Sequence, residues 1–452
     1  MVDGTANLSL TLGCRLMSVS RGGGVGGAAQ ACLTTADFLC ANDTEPLTVS
    51  ASVFIDASYD GDMMVAAGGI SYASGREPRA AFNESLAGVS SIDEPNESFD
   101  GLEISPFWPD GALLKGISPE PLPPAGAGDD RLMAFSFFIC ASPLADGRAL
   151  PWPRPLAYNA SDFELLRRVV AAYVAAGRTF ELSDFSEWQA YYTPANVTKI
   201  LLCCGRAPVN MDEPDLNRGW AHASEEGREA MRQAHRDYLL GSLYYMANDE
   251  SVNNYTRYAI GRWGLCADEY VGFVNNLPPQ IYVRVSNRLR GEALLTQNNL
   301  SDTRVDGIAV GHWGFDQHTE SRRVVADPRN ASRLVVANEG YFRIDDQLYD
   351  VPFGVMLPRR GEADNLLVPV AISATSVAYA STRIEQMFVD TGAAAGVAAA
   401  LALEAAAARG GSSGAALACP ALGFALQDSN VSAVQAALVE LYQQRIHSGE
   451  GR

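Results

Sequence analysis

Histidine is scarce in this chain, with five in 452 residues, and positive charge is outweighed: 34 lysines and arginines against 53 acids leave a net charge of -19. Nucleic acid and anionic membrane surfaces both need a basic face, so this balance excludes them as partners. Long apolar runs are lacking too. The best, Val389 to Ala408, is rich in alanine and glycine and carries Asp390 and Glu404, so no transmembrane helix is expected. The opening VDGTANLSLTL has neither the basic nor the long apolar region of a signal peptide. No Cys-x-x-Cys occurs among the eight cysteines (Cys14, Cys32, Cys40, Cys140, Cys203, Cys204, Cys266, Cys419), which disfavours a zinc site. Their even number permits disulfides, in a pattern that spacing does not reveal.

What is present begins with glycosylation acceptors. Asn-x-Ser/Thr sequons start at Asn7, Asn42, Asn83, Asn96, Asn159, Asn196, Asn254, Asn299, Asn330 and Asn430, half of the twenty asparagines. Chance alone gives about two at this Ser and Thr content, so a glycoprotein of the secretory pathway or extracellular space is expected. At 47% hydrophobic and 19% charged residues, the composition is that of a globular protein large enough for two or three domains.

Along the chain, residues 8–20 alternate apolar and polar, the mark of a half-buried strand. The glycine-rich Arg21 to Gly27 that follows formally satisfies GxGxxG, with Asp43 available as the acidic partner. An alternating strand before it suits a hairpin better than a buried parallel strand. Residues 47–57 form another strand, ending in Val53-Phe54-Ile55 and an acidic turn, Asp56-Ala57-Ser58-Tyr59-Asp60-Gly61-Asp62, before a short helix at Met63 to Ala67. Such a turn lies at the carboxyl edge of a sheet, where ligands of open α/β sheets bind; capping the helix is its plainer role.

Residues 73–130 are rich in Pro, Gly, Asp and Glu and read as long surface loops. A strand is expected over 131–140 with Phe135, Phe137 and Phe138 in the core. One amphipathic helix is expected from Phe163 to Ala176, with Leu165, Leu166, Val169, Val170 and Tyr173 inward, and a second over 224–247. In the second, Tyr238, Leu239, Leu240, Leu243, Tyr244 and Tyr245 read as core first, with the lining of a pocket as the alternative. Near the C-terminus, Leu366 to Ile372 is an apolar run, followed by Ser373, Thr375 and Ser376 and by the pair Arg383 and Glu385. Thr391-Gly392 then opens an Ala/Gly-rich helix whose first turn, through Gly396, offers bare backbone N–H groups to a ligand. A flexible link spans 410–418, and a last amphipathic helix runs from Asp428 to Gln444.

The DASYDGD turn at 56–62 and the LLVPVAISATSVAYASTRIEQ…TGAAAGVAAALA stretch together resemble the FAD-dependent oxidoreductase family, whose members share a glutathione-reductase-like flavin domain. Further pieces of the resemblance are RLMAFSFFICAS at 131–142, LPPQIYVRVSNRL at 277–289 and VDGIAVGHWGFDQHTESRR at 305–323, so that it spans about 50–445. The resemblance implies an α/β fold: a partial FAD/NAD(P)-binding-like flavin domain with an inserted α+β substrate lobe. It places residues 1–72 and 361–410 in the flavin domain, 73–360 in the substrate or cap lobe, and 411–452 in a C-terminal link and helix. Two departures stand out. The strand, GxGxxG turn and helix with which such proteins begin do not precede residue 8, which is expected of an N-terminally truncated product, and the usual histidine of the C-terminal cluster is replaced around Val377.

FAD is thus the expected cofactor, held by Asp56, Ala57, Ser58, Asp60, Gly61 and Asp62 and by Arg383, Glu385, Thr391, Gly392 and Gly396. Hydride removal leaves a proton to be handled, and Gly311-His312-Trp313-Gly314-Phe315-Asp316-Gln317-His318 holds two of the five histidines beside an acid. His318 with Asp316 is the first candidate and His312 the second; satisfied loop histidines are the alternative. Tyr282 and Arg284 alternate with Ile281 and Val283 on an expected strand and are candidates for a small-molecule or carbohydrate substrate, with a solvent-facing arginine as the alternative. No metal is expected. The leading function is flavin-mediated hydride transfer; a catalytically inactive glycoprotein with a carbohydrate-binding or scaffold role is the second reading, and a polysaccharide lyase the third.

Overall fold

The structure, a computed structural model, describes residues 7–22, 31–41, 43–90, 97–192, 198–345, 347–408 and 425–442. The chain forms two units. The first comprises Met1–Ser74, Val285–Gly314 and Asp345–Arg452, and the second Gly75–Arg284 and Phe315–Ile344. Residues 285–314 and 345–360, expected in the inserted lobe, therefore belong to the first unit. The reason is strand pairing within that unit: Gly307–Gly311 runs antiparallel to Tyr349–Pro352, and Arg288–Leu289 pairs with Tyr72–Ala73.

In the first unit Cys14–Arg21, Leu33–Cys40 and Leu47–Ser50 form an antiparallel three-stranded sheet, closed at one end by the Cys14–Cys40 disulfide. The glycine-rich stretch thus joins antiparallel neighbours, and a dinucleotide-binding crossover needs parallel ones. The hairpin reading stands; residues 23–30 lie outside the described residues. The expected strand at 8–20 starts only at Cys14, and Leu8, Leu10 and Leu12 are exposed. The expected strand at 47–57 is divided as well. Leu47–Ser50 pairs antiparallel with Leu33–Cys40, whereas Phe54–Ile55 pairs parallel with Leu366–Leu367, and the chain changes partner between them.

Around that parallel pair lies the core of the unit: Phe54, Met64, Ile70, Leu289, Leu366, Val368 and Ala371, with Leu33 and Ala36 from the antiparallel sheet. Asn365 fastens the two sheets. Its Oδ1 accepts from Leu33 N at 2.9 Å, and its Nδ2 donates to the carbonyls of Leu33 and Ser52 at 2.9 and 3.0 Å. The Glu385–Ala408 helix buries Thr391, Ala394, Ala395, Ala398, Ala402 and Ala406, one stripe at helical spacing, and packs on Gly307–Gly311 and on the Val431–Tyr442 helix. Its length and apolar content suffice to cross a membrane, but this stripe makes it a packing helix of the unit.

The second unit is built on a five-stranded antiparallel sheet in the order Ala149–Pro151, Trp263–Cys266, Ile139–Pro143, Thr198–Cys203, Glu187–Tyr192. A disulfide joins Cys140 to Cys266. Residues 131–138 run into this sheet as extended chain, not as regular strand. Phe135 and Phe137 are buried and Phe138 half-buried. The Glu164–Ala175 helix buries Leu165, Leu166, Val169, Val170 and Tyr173, and the Glu225–Asn248 helix buries Leu239, Leu240, Leu243 and Tyr245, as their spacing implies; Tyr238 and Tyr244 are half-buried. In the loop-rich part, Arg76 sits 4% exposed among Asp129, Glu320 and Glu339. That buried ion cluster ties the expected surface loops to the Ser321–Asp327 and Asn330–Glu339 hairpin.

Candidate functional site

An acidic turn ends the parallel pair of the first unit. Asp56 is buried, and its Oδ2 accepts from Met64 N at 2.9 Å while its Oδ1 accepts from Ser58 N at 3.1 Å and Ser58 Oγ at 2.7 Å. Ser58 Oγ in turn accepts from Asp62 N at 2.8 Å. Burial pushes the Asp56 carboxyl up, and these hydrogen bonds to its ionised form pull it back. Asp56 therefore shapes the turn. Gly61 has φ 65°, and a Cβ there would stand 2.5 Å from Met64 Cε and 3.3 Å from Ala371 Cβ. Asp60 is buried, Asp62 half-buried and Ala57 exposed.

Alongside this turn runs a segment the sequence reading did not single out as a site. Ser286, Asn287 and Arg288 are each at most 1% exposed. Asn287 Nδ2 donates to the carbonyl of Asp60 at 3.1 Å, and Arg288 Nε and Arg290 Nη1 each donate to the carbonyl of Ala374 at 3.1 Å. Leu289 N donates to Ala371 O at 2.9 Å and Gly291 N to Ser373 Oγ at 3.0 Å, so Arg288 to Gly291 lies along Ala371 to Ala374, where the buried polar cluster begins with Ser373. The available signal was Ser286-Asn287 followed by the alternating Arg288 and Arg290.

The second half of the expected cofactor set is placed differently. The helix begins at Glu385, so Thr391 and Gly392 lie in its second turn and Gly396 in its fourth, and none opens it. Thr391 Oγ1 donates to Met387 O at 2.9 Å and Pro369 O at 2.8 Å, a buried mid-helix threonine. A Cβ at Gly392 or Gly396 would meet nothing within 4 Å. Nothing between Glu385 and Thr391 breaks a helix, and helix-forming residues extend it upstream. Arg383 is buried, Glu385 exposed.

In the second unit, His318 is the centre of a buried polar group. Its Nδ1 lies 2.8 Å from Asp212 Oδ2, and its Nε2 lies 3.7 Å from Asp316 Oδ1. Asp212 also faces Arg284 Nη1 at 3.0 Å, with both side chains fully buried. Arg284 donates to the carbonyl of Ala134 as well. The expected strand at 281–284 is only an isolated bridge, Tyr282 with Ser136, and Arg284 is interior rather than solvent-facing. Tyr282 stacks at a tilt on Phe138, with ring centroids 4.6 Å apart. Glu97, from the expected surface loops, is 1% exposed at φ 54°, accepts from Asn210 Nδ2 at 3.2 Å and takes the Thr319 hydroxyl. A non-glycine residue held there is a strained position of the kind that collects at sites.

Electrostatics sort these groups. Burial, then the Asp212 charge, push Glu97 up to about 8, so it is protonated at neutral pH. The Arg284 and His318 partners hold Asp212 below its ordinary value against its burial. Burial and Arg284 push His318 down, so its imidazole is neutral. With Asp212 beside Nδ1, the proton sits on Nδ1 and Nε2 is left as a base. Ligand atoms of Glu97, Asp212 and His318 lie within 4.8 Å of one another, which a metal ion could bridge, but Arg284 already balances Asp212 and a proton balances Glu97. His312 is exposed and belongs to the first unit.

The same unit holds a cavity of about 500 Å³ lined by Lys115, Tyr158, Asp162, Phe163, Glu213, Arg218, Asp237 and Tyr238 among others. Tyr238 thus forms a cavity wall, the alternative to its core reading. Mixed aromatic and charged walls of this size suit a small polar molecule.

Against known families, the model of the FAD dependent oxidoreductase family matches residues 1–409. The chain belongs to this family. FAD is its cofactor, and an oxidoreductase activity follows. No curated protein and no solved structure matches the chain. The first unit fits FAD on the side of the acidic turn: beside Asn287, which reaches that turn, the buried Ser286 Oγ has no hydrogen-bond partner among the described residues. Among those residues no parallel strand, glycine-rich turn and helix unit is found for the diphosphate.

Proposed function

We propose that this FAD-dependent enzyme oxidises a small polar molecule by hydride transfer, with His318 taking the substrate proton. FAD supplies the two-electron acceptor when bound. The turn Asp56 to Asp62 and the Ser286–Arg290 segment would hold it, the arginines opposite its negative charge. The Asp212–His318 pair carries the reading. Asp212 fixes the tautomer and orientation of the ring, and the buried, neutral imidazole keeps a base at Nε2 without waiting for solvent to remove a proton. Tyr282 and Arg284 flank this pair and are proposed to position substrate or its charge. Asp316, near Nε2, is proposed to help direct the ring.

The test is a purified full-length protein screened with small alcohols, polyols and amines against an artificial electron acceptor. His318→Asn is expected to keep bound flavin, seen by its visible absorption, and to slow flavin reduction by about 100-fold or more. Unchanged reduction by that variant would remove His318 from the mechanism, and a full-length protein that binds no FAD would remove the whole reading.

We also place the protein in the secretory pathway. Of the sequon asparagines among the described residues, all are exposed except the half-buried Asn299. The bonded Cys14–Cys40 and Cys140–Cys266 pairs support an oxidising compartment. A mass decrease on glycosidase treatment of protein from a eukaryotic host checks this.

A further inference from the structure

Two adjacent cysteines in the second unit are used by nothing described so far. Cys203 ends the Thr198–Cys203 strand, and its Sγ lies 2.8 Å from Sγ of Cys204. Atoms without a covalent bond pack at about 3.5–4.0 Å even for carbon, and sulfur is larger. Both residues are half-buried, so small reagents reach them. Their backbone is pinned: Ser186 Oγ donates to Cys203 O at 2.8 Å and Glu187 N to Cys204 O at 2.7 Å. Gly205 locks the next position, where a Cβ would stand 2.3 Å from Asn210 Cβ and 2.6 Å from Phe185 O. Cys204 itself has φ 22°, outside the ordinary regions for a side-chain-bearing residue. The chain is thus held in an unusual conformation at the one place where two neighbouring sulfurs meet.

We propose that Cys203 and Cys204 are a redox-active vicinal pair, closing to an eight-membered disulfide ring with small-molecule disulfides as the oxidant. Cys203 thiolate attacks one sulfur of the small disulfide, whose other half leaves as a thiolate and takes a proton. Cys204 sulfur, losing its proton, then attacks Cys203 Sγ, and the second half leaves as thiol. The protein gives up two electrons and two protons, and the disulfide gains both. Adjacent trans residues have Cα atoms about 3.8 Å apart, closer than the usual disulfide range of about 4.4–6.8 Å. Such a ring opens readily to reductant, unlike an ordinary structural bridge. The pair also adjoins the proton-handling group in electrostatic terms, since Arg284 and Asp212 act on Cys204 in opposite senses.

The experiment is alkylation mapping of the full-length protein, independent of flavin loading. After exposure to glutathione disulfide, denaturation and alkylation, the peptide holding Cys203 and Cys204 is expected unalkylated and lighter by two hydrogens; after prior treatment with a thiol reductant, both sulfurs are alkylated. The reduced protein is further expected to bind about one equivalent of phenylarsine oxide through this pair, a reagent that needs two neighbouring thiols. Cys203→Ser and Cys204→Ser should each lose that equivalent and stop at a mixed disulfide. Alkylation of both cysteines after glutathione disulfide treatment, or bridges from either to a different cysteine, would overturn the proposal on the wild-type chain alone.

Discussion

His318 Nδ1 stands 2.8 Å from Asp212 Oδ2, and the same aspartate stands 3.0 Å from Arg284 Nη1 on its other oxygen. One carboxylate thus orients a base and neutralises a guanidinium inside a buried group, and each partner depends on it.

Breaking that dependence is expected to be costly. Arg284→Met leaves Asp212 as a buried charge with only a neutral imidazole beside it, and a loss of about 3–5 kcal/mol is expected in urea unfolding. Adding Asp212→Asn to it should restore a good part. Equal instability of the single and double variants would show that packing, and not the charge, decides the site.

Protonation gives a second handle, of opposite sign on its two sides. Glu97 has its folded value raised to about 8, so the folded state holds a proton the unfolded chain has lost over the window from about 4.5 to about 8. Its contribution is complete below that window and falls away as pH rises through it. His318 is lowered, and His235 is pushed down to about 4 by burial, so both favour the folded state above about 6.5 and cease to do so on acidification. Melting temperatures of the wild type should fall between about pH 6.5 and 8, where Glu97 alone of these groups titrates differently in the two states, and level off above that. Glu97→Gln is expected to remove that fall and to steepen the rise below about pH 6.5; an unaltered fall would mean Glu97 is already ionised at neutral pH.

The glycines separate two views of the long helix. Gly396→Ala, at an exposed mid-helix position with open space around it, should stabilise by about 0.5–1 kcal/mol and leave FAD affinity unchanged. Gly61→Ala, at positive φ against Met64 and Ala371, should destabilise by about 1–3 kcal/mol and weaken FAD binding. Flavin titrations of the two variants decide it, and weaker binding by the Gly396 variant would restore a ligand role to that turn.

Asn365 offers a test of the first unit. Asn365→Leu removes three hydrogen bonds, strands the Leu33 amide and carbonyl in the interior, and should lower stability by about 2–4 kcal/mol. A change below about 0.5 kcal/mol in chemical denaturation would mean water replaces the side chain.

Legibility followed the range of the interactions. The helix at Glu164–Ala175 and its five inward residues could be read directly, because a period of 3.6 is written in consecutive residues. The acidic turn at 56–62 was also visible, since a strand end, a left-handed glycine and a helix start are neighbours in sequence. His318 stood out by rarity, while its partner Asp212 lies 106 residues away and Glu97 sits in a stretch whose composition reads as solvent-exposed. Burial of a carboxylate depends on what folds over it, and composition carries no record of that. The helix start at Glu385 was missed for a related reason. A run of small residues resembles a ligand-facing first turn, but it also suits close packing of a helix flank, and only the contacts with Gly307–Gly311 and Val431–Tyr442 choose between these.

By itself the sequence determined the acidic charge, the inward faces of the helices, the local turn at Asp56 to Asp62, and the flavin family. Tertiary structure alone decided that Val285 to Gly314 joins the first unit, that Ser286–Arg290 lies along the acidic turn, and that Asp212, Arg284, Glu97 and His318 share one buried place. The physical reason is that periodicity and turn chemistry act over a few residues, whereas strand partners and the pairing of buried charges are settled by which distant segments exclude water together.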